Sequence, residues 1–266
     1  MDTGIYAGIP EERYHAGDQV SVSRLKLFAI APAKARWAPP RTSRPLAMGK
    51  LLHTAILEPA ELERRYYPTS LARINERDSA TQAALLRAGE RELVKQADYD
   101  DARRAADAVH KWSAVVRELI TPDLATEQSA YWQDPGTGLR CRGRVDGAHA
   151  IYRTLIDLKS ARNATPDAFK WTVAEYGYHW QEAMYRDGWE LAGGWRPEVF
   201  LFFAVELEPP YLTGIYELSP KAVSRGWDMV RHYLAEWAEC ARRDEWPGLP
   251  ADAPIQLELP PVAYME

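Results

Sequence analysis

LRCRGRVDGAHAIYRTLIDLKS, residues 139–160, is the stretch whose reading decides the fold. Its first half alternates. Arg140, Arg142 and Arg144 fall on one side of an extended chain and Cys141, Gly143 and Val145 on the other, the period-two pattern of a strand. The second half, Leu155-Ile156-Asp157-Leu158-Lys159, is apolar enough for a buried strand yet carries a carboxylate and an amine. Upstream, ATEQSAYWQD (125–134) also alternates and PGTG (135–138) is a turn, so the region forms a hairpin with a longer loop. Downstream, TPDAFKWTVAEYG (165–177), with Pro166 in its first turn, and YHWQEAMYRDGWELAG (178–193) have helical spacing. EVFLFFAVE (198–206) and YLTGIYEL (211–218) read as two more strands. Residues 219–243 read as a long amphipathic helix with Pro220 in its first turn.

The first 120 residues are mainly helical. SVSRLKLFAIAP (21–32) is a short helix capped by Ser21 or Ser23 and ended by Pro32. PPRTSRP (39–45) is a linker. LAMGKLLHTAILEP (46–59) is a helix stopped by Pro59, and residues 79–118 give two helices or one broken near Gly89. Residues before 21 are loop-like, and the Pro-rich tail 246–266 is irregular. The order predicts an α/β (α+β) fold: a mixed central sheet flanked by helices, with a helical lead-in over 1–120, a catalytic core over 121–245, and one domain over 1–266.

Composition narrows the class. No apolar run is long enough to span a bilayer and the start shows no basic-then-apolar leader, so a cytoplasmic, membrane-free protein is expected. Cys141 and Cys240 stand alone, which disfavours a disulfide framework and excludes a four-cysteine metal site within the chain. Net charge is −5, a mild argument against a nucleic-acid partner. A basic groove can sit on an acidic body, and a metal site itself needs carboxylates.

The chemistry concentrates on the two central strands. Asp157 and Lys159, at i and i+2, leave the same face while Leu158 points to the core. Asp146 precedes Gly147, which lets the backbone turn there and the carboxylate project at the sheet edge. If the strands are neighbours, Asp146 and Asp157 meet near one end of the pair. Paired carboxylates then call for a cation, and oxygen ligands suit Mg²⁺ or Mn²⁺. A metal there can acidify water and neutralise charge on a phosphodiester, with Lys159 orienting the water or stabilising developing charge. The bland reading is a surface ion pair, but an Asp and a Lys in so apolar a strand are costly to leave unpaired. Gln181 and Tyr185, at i and i+4, share a helix face and can hydrogen-bond phosphate or base edges; alone, a core tyrosine is the commoner meaning. Glu127 is a further carboxylate for the same edge. His53 is a lone helical histidine, more often structural than a ligand. Arg140, Arg142 and Arg144 can track phosphates or merely keep a strand face soluble, with Lys34, Arg36, Arg41 and Arg44 nearby in sequence. Trp112, Trp132, Trp171, Trp180 and Trp189 are candidates for base stacking, though core positions are commoner.

Taken together, Gly-Arg-Val-Asp146-Gly, Ile-Asp157-Leu-Lys159-Ser and Gln181-Glu-Ala-Met-Tyr185 resemble the PD-(D/E)XK nuclease superfamily, and within it the RecE-like exonuclease branch of phages and prophages. The segments 21–37 and 48–59 resemble that branch too, so the likeness runs from about residue 20 to about residue 205. It implies a restriction-endonuclease-like fold and Mg²⁺-dependent, processive 5′→3′ hydrolysis of one strand of linear double-stranded DNA, as in phage-type DNA recombination. It also implies that Asp146 and Asp157 bind metal with His53, Glu127 and the Leu158 carbonyl, that Lys159 acts on the nucleophilic water, and that Gln181 and Tyr185 hold the DNA. A homo-oligomeric ring and a single-strand annealing partner belong to the same implication. Competing readings are a structure-specific endonuclease and a non-catalytic DNA-binding module on the same fold. The intact Asp146, Asp157 and Lys159 argue against the module. A nucleotide-dependent enzyme is disfavoured, because no Gly-x-Gly-x-x-Gly follows a strand.

Overall fold

The computed structural model describes residues 1–39, 44–250, 252–254 and 256–260. Its centre is the hairpin of β4 (Leu124–Gln133) and β5 (Arg140–His149), followed by β6 (Thr154–Ala161). Asp134 closes the turn by accepting from the Thr137 backbone and hydroxyl. Two helices then carry the chain across to β7 (Val199–Glu206), parallel to β6, and β8 (Thr213–Tyr216) completes that edge antiparallel. A short strand, β1 (Gly4–Tyr6), pairs antiparallel with β4 on the other edge. The sheet order is β1-β4-β5-β6-β7-β8, mixed but mostly antiparallel.

Helices cover both faces, and strand alternation shows how. Leu155, Phe200, Phe202 and Ala204 pack on one side with α2 (Val22–Ile30), α9 (Pro166–Tyr176), α10 (Tyr178–Leu191) and α11 (Pro220–Arg243). Ile156, Leu158, Phe203 and Val205 pack on the other with α4 (Arg44–Leu57), α7 (Gln96–Trp112) and α8 (Ala114–Leu119). Strands buried on both faces read as continuous apolar runs, which is why 154–158 and 199–205 do so. Local chemistry sets the helix ends. Ser21 caps α2, Ser219 caps α11, and Pro32 and Pro220 occupy first turns. Gly177, with φ of 62°, takes the left-handed conformation that joins α9 to α10.

Several expectations need correcting. The stretch before residue 21 is not simply loop: it holds β1 and α1 (Glu11–Ala16). A short helix, α3 (Pro32–Trp37), follows α2; after α4, a 3-10 turn and α5 (Leu62–Arg65) lead to β2 (Tyr66–Thr69). β2 pairs in parallel with β3 (Glu92–Lys95), and α6 (Ser79–Ala88) connects them, so residues 79–118 contain a strand as well as helices. Gly147 does not end β5, which continues to His149. A Cβ there would lie 3.0 Å from Leu124 Cδ1 and 3.4 Å from Ile156 Cβ, so a larger residue would force those neighbours to shift. Most of the linker 39–45 and the end of the tail lie outside the described residues. Among the described residues, no helix is long and apolar enough to cross a membrane.

Candidate active site

The site forms where β5 and β6 part. The two strands pair only at Gly147–Ile156, Ala148–Leu155 and His149–Thr154, whereas β6 stays paired with β7 along its whole length. Continuing that register by one residue sets Asp146 opposite Asp157, and the β4–β5 register sets Glu127 opposite Asp146. Three carboxylates on three adjacent strands thus converge at the fork.

The fork leaves the Leu158 backbone without a strand partner on that side, and side chains satisfy it. Its N–H donates to Asp146 Oδ2 at 2.7 Å, and its carbonyl lies 2.9 Å from His53 Nε2. A carbonyl only accepts, so Nε2 carries the imidazole proton and Nδ1 is left with its lone pair. That Nδ1 faces Asp146 Oδ1 at 3.4 Å. One backbone carbonyl therefore fixes both the orientation and the tautomer that a metal-binding histidine needs. Asp157, 2% exposed, is held on both oxygens. Gln181 Nε2 donates to Oδ1, and Lys159 Nζ lies 2.5 Å from Oδ2. Lys159 also sits 4.7 Å from the centroid of the Tyr178 ring.

Burial and the crowding of carboxylates set the protonation of the fork. Burial, and then the Asp157 charge, push the Asp146 carboxyl up to about 8. Burial and the neighbouring Asp146 push Glu127 up to about 7. Burial holds His53 below its ordinary value, which keeps the ring neutral and able to ligate. Burial alone would lower Lys159, but Asp157, Tyr178 and Asp146 together hold it above the usual lysine range, so it stays charged. Ligand atoms of His53, Glu127 and Asp146 all lie within 4.8 Å of one another. Glu127 reaches the cluster from a backbone φ of 50°, a left-handed conformation uncommon for a non-glycine residue. Oxygen donors with one imidazole fit Mg²⁺ or Mn²⁺.

The other expected residues are placed as follows. Tyr185 is buried with its ring against Gly143, where a Cβ would lie 2.9 Å from Cδ1, and its hydroxyl bonds the Arg144 backbone. Arg140, Arg142 and Arg144 do reach one side, where residues 9–18 cover Arg142 and most of Arg144 but leave Arg140 exposed. Arg140 pairs with Asp18; Arg142, 3% exposed, bonds the Tyr14 and His15 carbonyls; Arg144 bonds the Ile9 carbonyl and Ser129 Oγ. A buried guanidinium must find acceptors inside, so Arg142 is not the phosphate-tracking residue its alternation suggests, and Arg144 is largely committed too. Trp132 and Trp189 are core residues, Trp180 packs against the core, and Trp112 and Trp171 are exposed. Arg36 lies over the Trp246 ring. Arg41 and the Arg44 side chain lie outside the described residues. Sequence reasoning missed Tyr178 and Lys26. Tyr178 stands three residues before Gln181 on one helix, a signal that could have found it. Lys26 meets the site across the fold and carries no such signal.

Comparison with known proteins bears on the fold that carries this site. The chain aligns in fold with a crystal structure from Eubacterium rectale named "Putative exonuclease", at 14% identity and a TM-score of 0.62, over 97% of this chain and 98% of that one. A phage-related exonuclease from Haemophilus somnus is 12% identical, with a TM-score of 0.38 over 85% of this chain and 97% of that one. No curated protein matches the sequence. The family model described as "PDDEXK-like domain of unknown function (DUF3799)" matches residues 21–253, which takes in the whole fork, and the chain belongs to that family.

Proposed function

We propose that this protein is a divalent-metal-dependent exodeoxyribonuclease that hydrolyses phosphodiester bonds of linear double-stranded DNA, 5′→3′ and processively. The carrying observation is the His53–Glu127–Asp146 donor cluster set directly beside the Asp157–Lys159 pair at one strand fork. His53 through Nδ1, with Glu127, Asp146 and Asp157, would hold Mg²⁺ or Mn²⁺; the Leu158 carbonyl, expected as a further ligand, is instead taken up by His53 Nε2 on the opposite side of the ring. A bound divalent cation would acidify a coordinated water and offset phosphate charge.

The chain's own residues supply the remainder. Lys159, charged and anchored by Asp157, donates toward the attacking water and the charge that develops on the phosphoryl oxygens. Gln181 donates to Asp157 Oδ1 and orients that carboxylate beside Lys159. Tyr185 fixes β5 through Gly143 and Arg144, which makes it a positioning residue for Asp146. The family likeness adds a cytoplasmic setting, a homo-oligomeric ring around DNA and a single-strand annealing partner; light scattering on the purified chain tests the ring.

Digestion of a linear duplex labelled at either end, with Mg²⁺, Mn²⁺ or EDTA, tests the activity and its polarity. Metal-dependent release from the 5′ end is expected, with closed circular duplex left intact. Cleavage of the circle instead identifies an endonuclease on the same fold. No cleavage of any DNA refutes the proposal.

A further inference from the structure

Stacked rings lead out of the fork to the surface. Phe202 of β7 stands opposite Asp157 in the parallel register. Tyr178 stacks on Phe202 with centroids 5.7 Å apart and planes at 17°, and Tyr176 stacks on Tyr178 at 5.9 Å and 22°. Phe202 is fully buried, Tyr178 partly so, and Tyr176 is 54% exposed. The stack therefore ends on a ring whose outer face is open.

Two ammonium groups flank the middle ring, Lys159 at 4.7 Å and Lys26 at 5.8 Å from the Tyr178 centroid. Asp157 neutralises Lys159. Lys26 makes no hydrogen bond or ion pair among the described residues, although it shares the ring with a second cation. Its stem passes Gly177, where an added Cβ would lie 3.0 Å from Lys26 Cε. The glycine that turns α9 into α10 also leaves the gap through which Lys26 reaches the stack. Burial, and then the Lys159 charge, push Lys26 down to about 7, and an anion beside it would act in the opposite sense.

An exposed aromatic ring joined to the fork through Tyr178, and an uncommitted ammonium over the same Tyr178 ring, match the two halves of a nucleotide. We propose that Tyr176, backed by Tyr178, is a stacking platform for the nucleobase next to the scissile phosphate, and that Lys26 holds a phosphate of the same strand. The proposal rests on the nuclease reading above. A base can reach the platform only after leaving the duplex stack, so the platform serves a strand end that has opened. Every base has a π-face, so stacking there tolerates any sequence.

The test uses the full chain and a linear duplex ending in 2-aminopurine, with Ca²⁺ in place of Mg²⁺ so that binding is read without turnover. Quenching of the terminal base is expected for the wild type and for Tyr176→Phe, and loss of quenching for Tyr176→Ala, with affinity weakened about tenfold. With Mg²⁺, Tyr176→Ala should raise KM far more than it lowers kcat. Lys26→Gln should reduce the slope of log affinity against log salt by about one, as loss of one phosphate contact requires. A wild type that digests DNA, with Tyr176→Ala matching its quenching and affinity, overturns the platform alone. A wild type that digests nothing overturns the nuclease reading and the platform with it.

Discussion

At the scale of single residues, the fork is built from groups that disagree about where their protons should be. Asp146 is raised to about 8 from an ordinary 3.8, and Glu127 to about 7 from 4.5. Both folded-state values exceed the unfolded ones, so between them the folded chain holds protons that the unfolded chain has released. Stability from these groups is full below about pH 4 and is lost as pH climbs through 7 and 8. The melting temperature of the metal-free protein should therefore fall between pH 5 and 8.5, and Asp146→Asn should flatten the fall. A flat wild-type profile contradicts this. Mg²⁺ binding near pH 7 should release protons, measurable by titration calorimetry in two buffers of different ionisation enthalpy. For the buried pair, Lys159→Ala and Asp157→Ala should each lower turnover about 100- to 1000-fold or more. Urea unfolding should show the double variant less destabilised than the two single losses added together, because neither charge is then stranded. Asp157, Lys159 and their shared face were legible in the sequence, since period two is a local property of a strand. His53 was not legible from spacing, because its partner Leu158 lies 105 residues away and only tertiary packing joins them.

At the scale of elements, the site depends on one strand pair opening while α10 stays fixed behind it. α10 crosses α11 at Gly226, where an added Cβ would lie 2.0 Å from the His179 carbonyl oxygen. A backbone atom cannot yield as a side chain does, so Gly226→Ala should cost about 1–3 kcal/mol. It should also lower kcat, because the displaced helix carries Gln181; melting and steady-state kinetics together check this. Arg142→Met acts at the other edge. It removes the donor to the Tyr14 and His15 carbonyls, so limited proteolysis within residues 1–18 should accelerate. The hairpin, β6, β7 and the long helices were readable because each carries its own repeat and its own Pro, Gly or Ser punctuation. β1 and α1 were not. β1 has three residues and exists through its pairing with β4, and α1 buries only Tyr14. The parallel β2–β3 pair escaped for a similar reason, since four-residue strands separated by a helix leave no periodic trace.

At the scale of the whole molecule, charge decides how DNA could be held. The chain carries −5, and of the arginine stripe Arg142 and Arg144 are committed to the segment 9–18, while Arg140 stays exposed in a surface ion pair with Asp18. Sequence pattern placed that stripe on one face correctly but could not show the segment that covers most of it, because the cover comes from residues more than 120 positions earlier. Above about pH 8 the Glu127 and Asp146 carboxylates at the fork are ionised and repel a phosphodiester until a cation intervenes. Affinity for DNA should therefore be coupled to the metal. The metal-free chain should bind a linear duplex weakly, and Ca²⁺ should tighten binding at least about tenfold, a coupling of the size found between linked sites. Glu127→Gln removes part of the repulsion along with a ligand. In EDTA at about pH 8.5, where Glu127 is ionised, it should bind DNA more tightly than the wild type, and it should gain less from Ca²⁺. Fluorescence anisotropy of a labelled duplex at fixed ionic strength reads both effects. Equal affinity of the two proteins in EDTA, together with no response of the wild type to Ca²⁺, would mean that DNA is gripped elsewhere and that the fork is not where phosphate meets the protein.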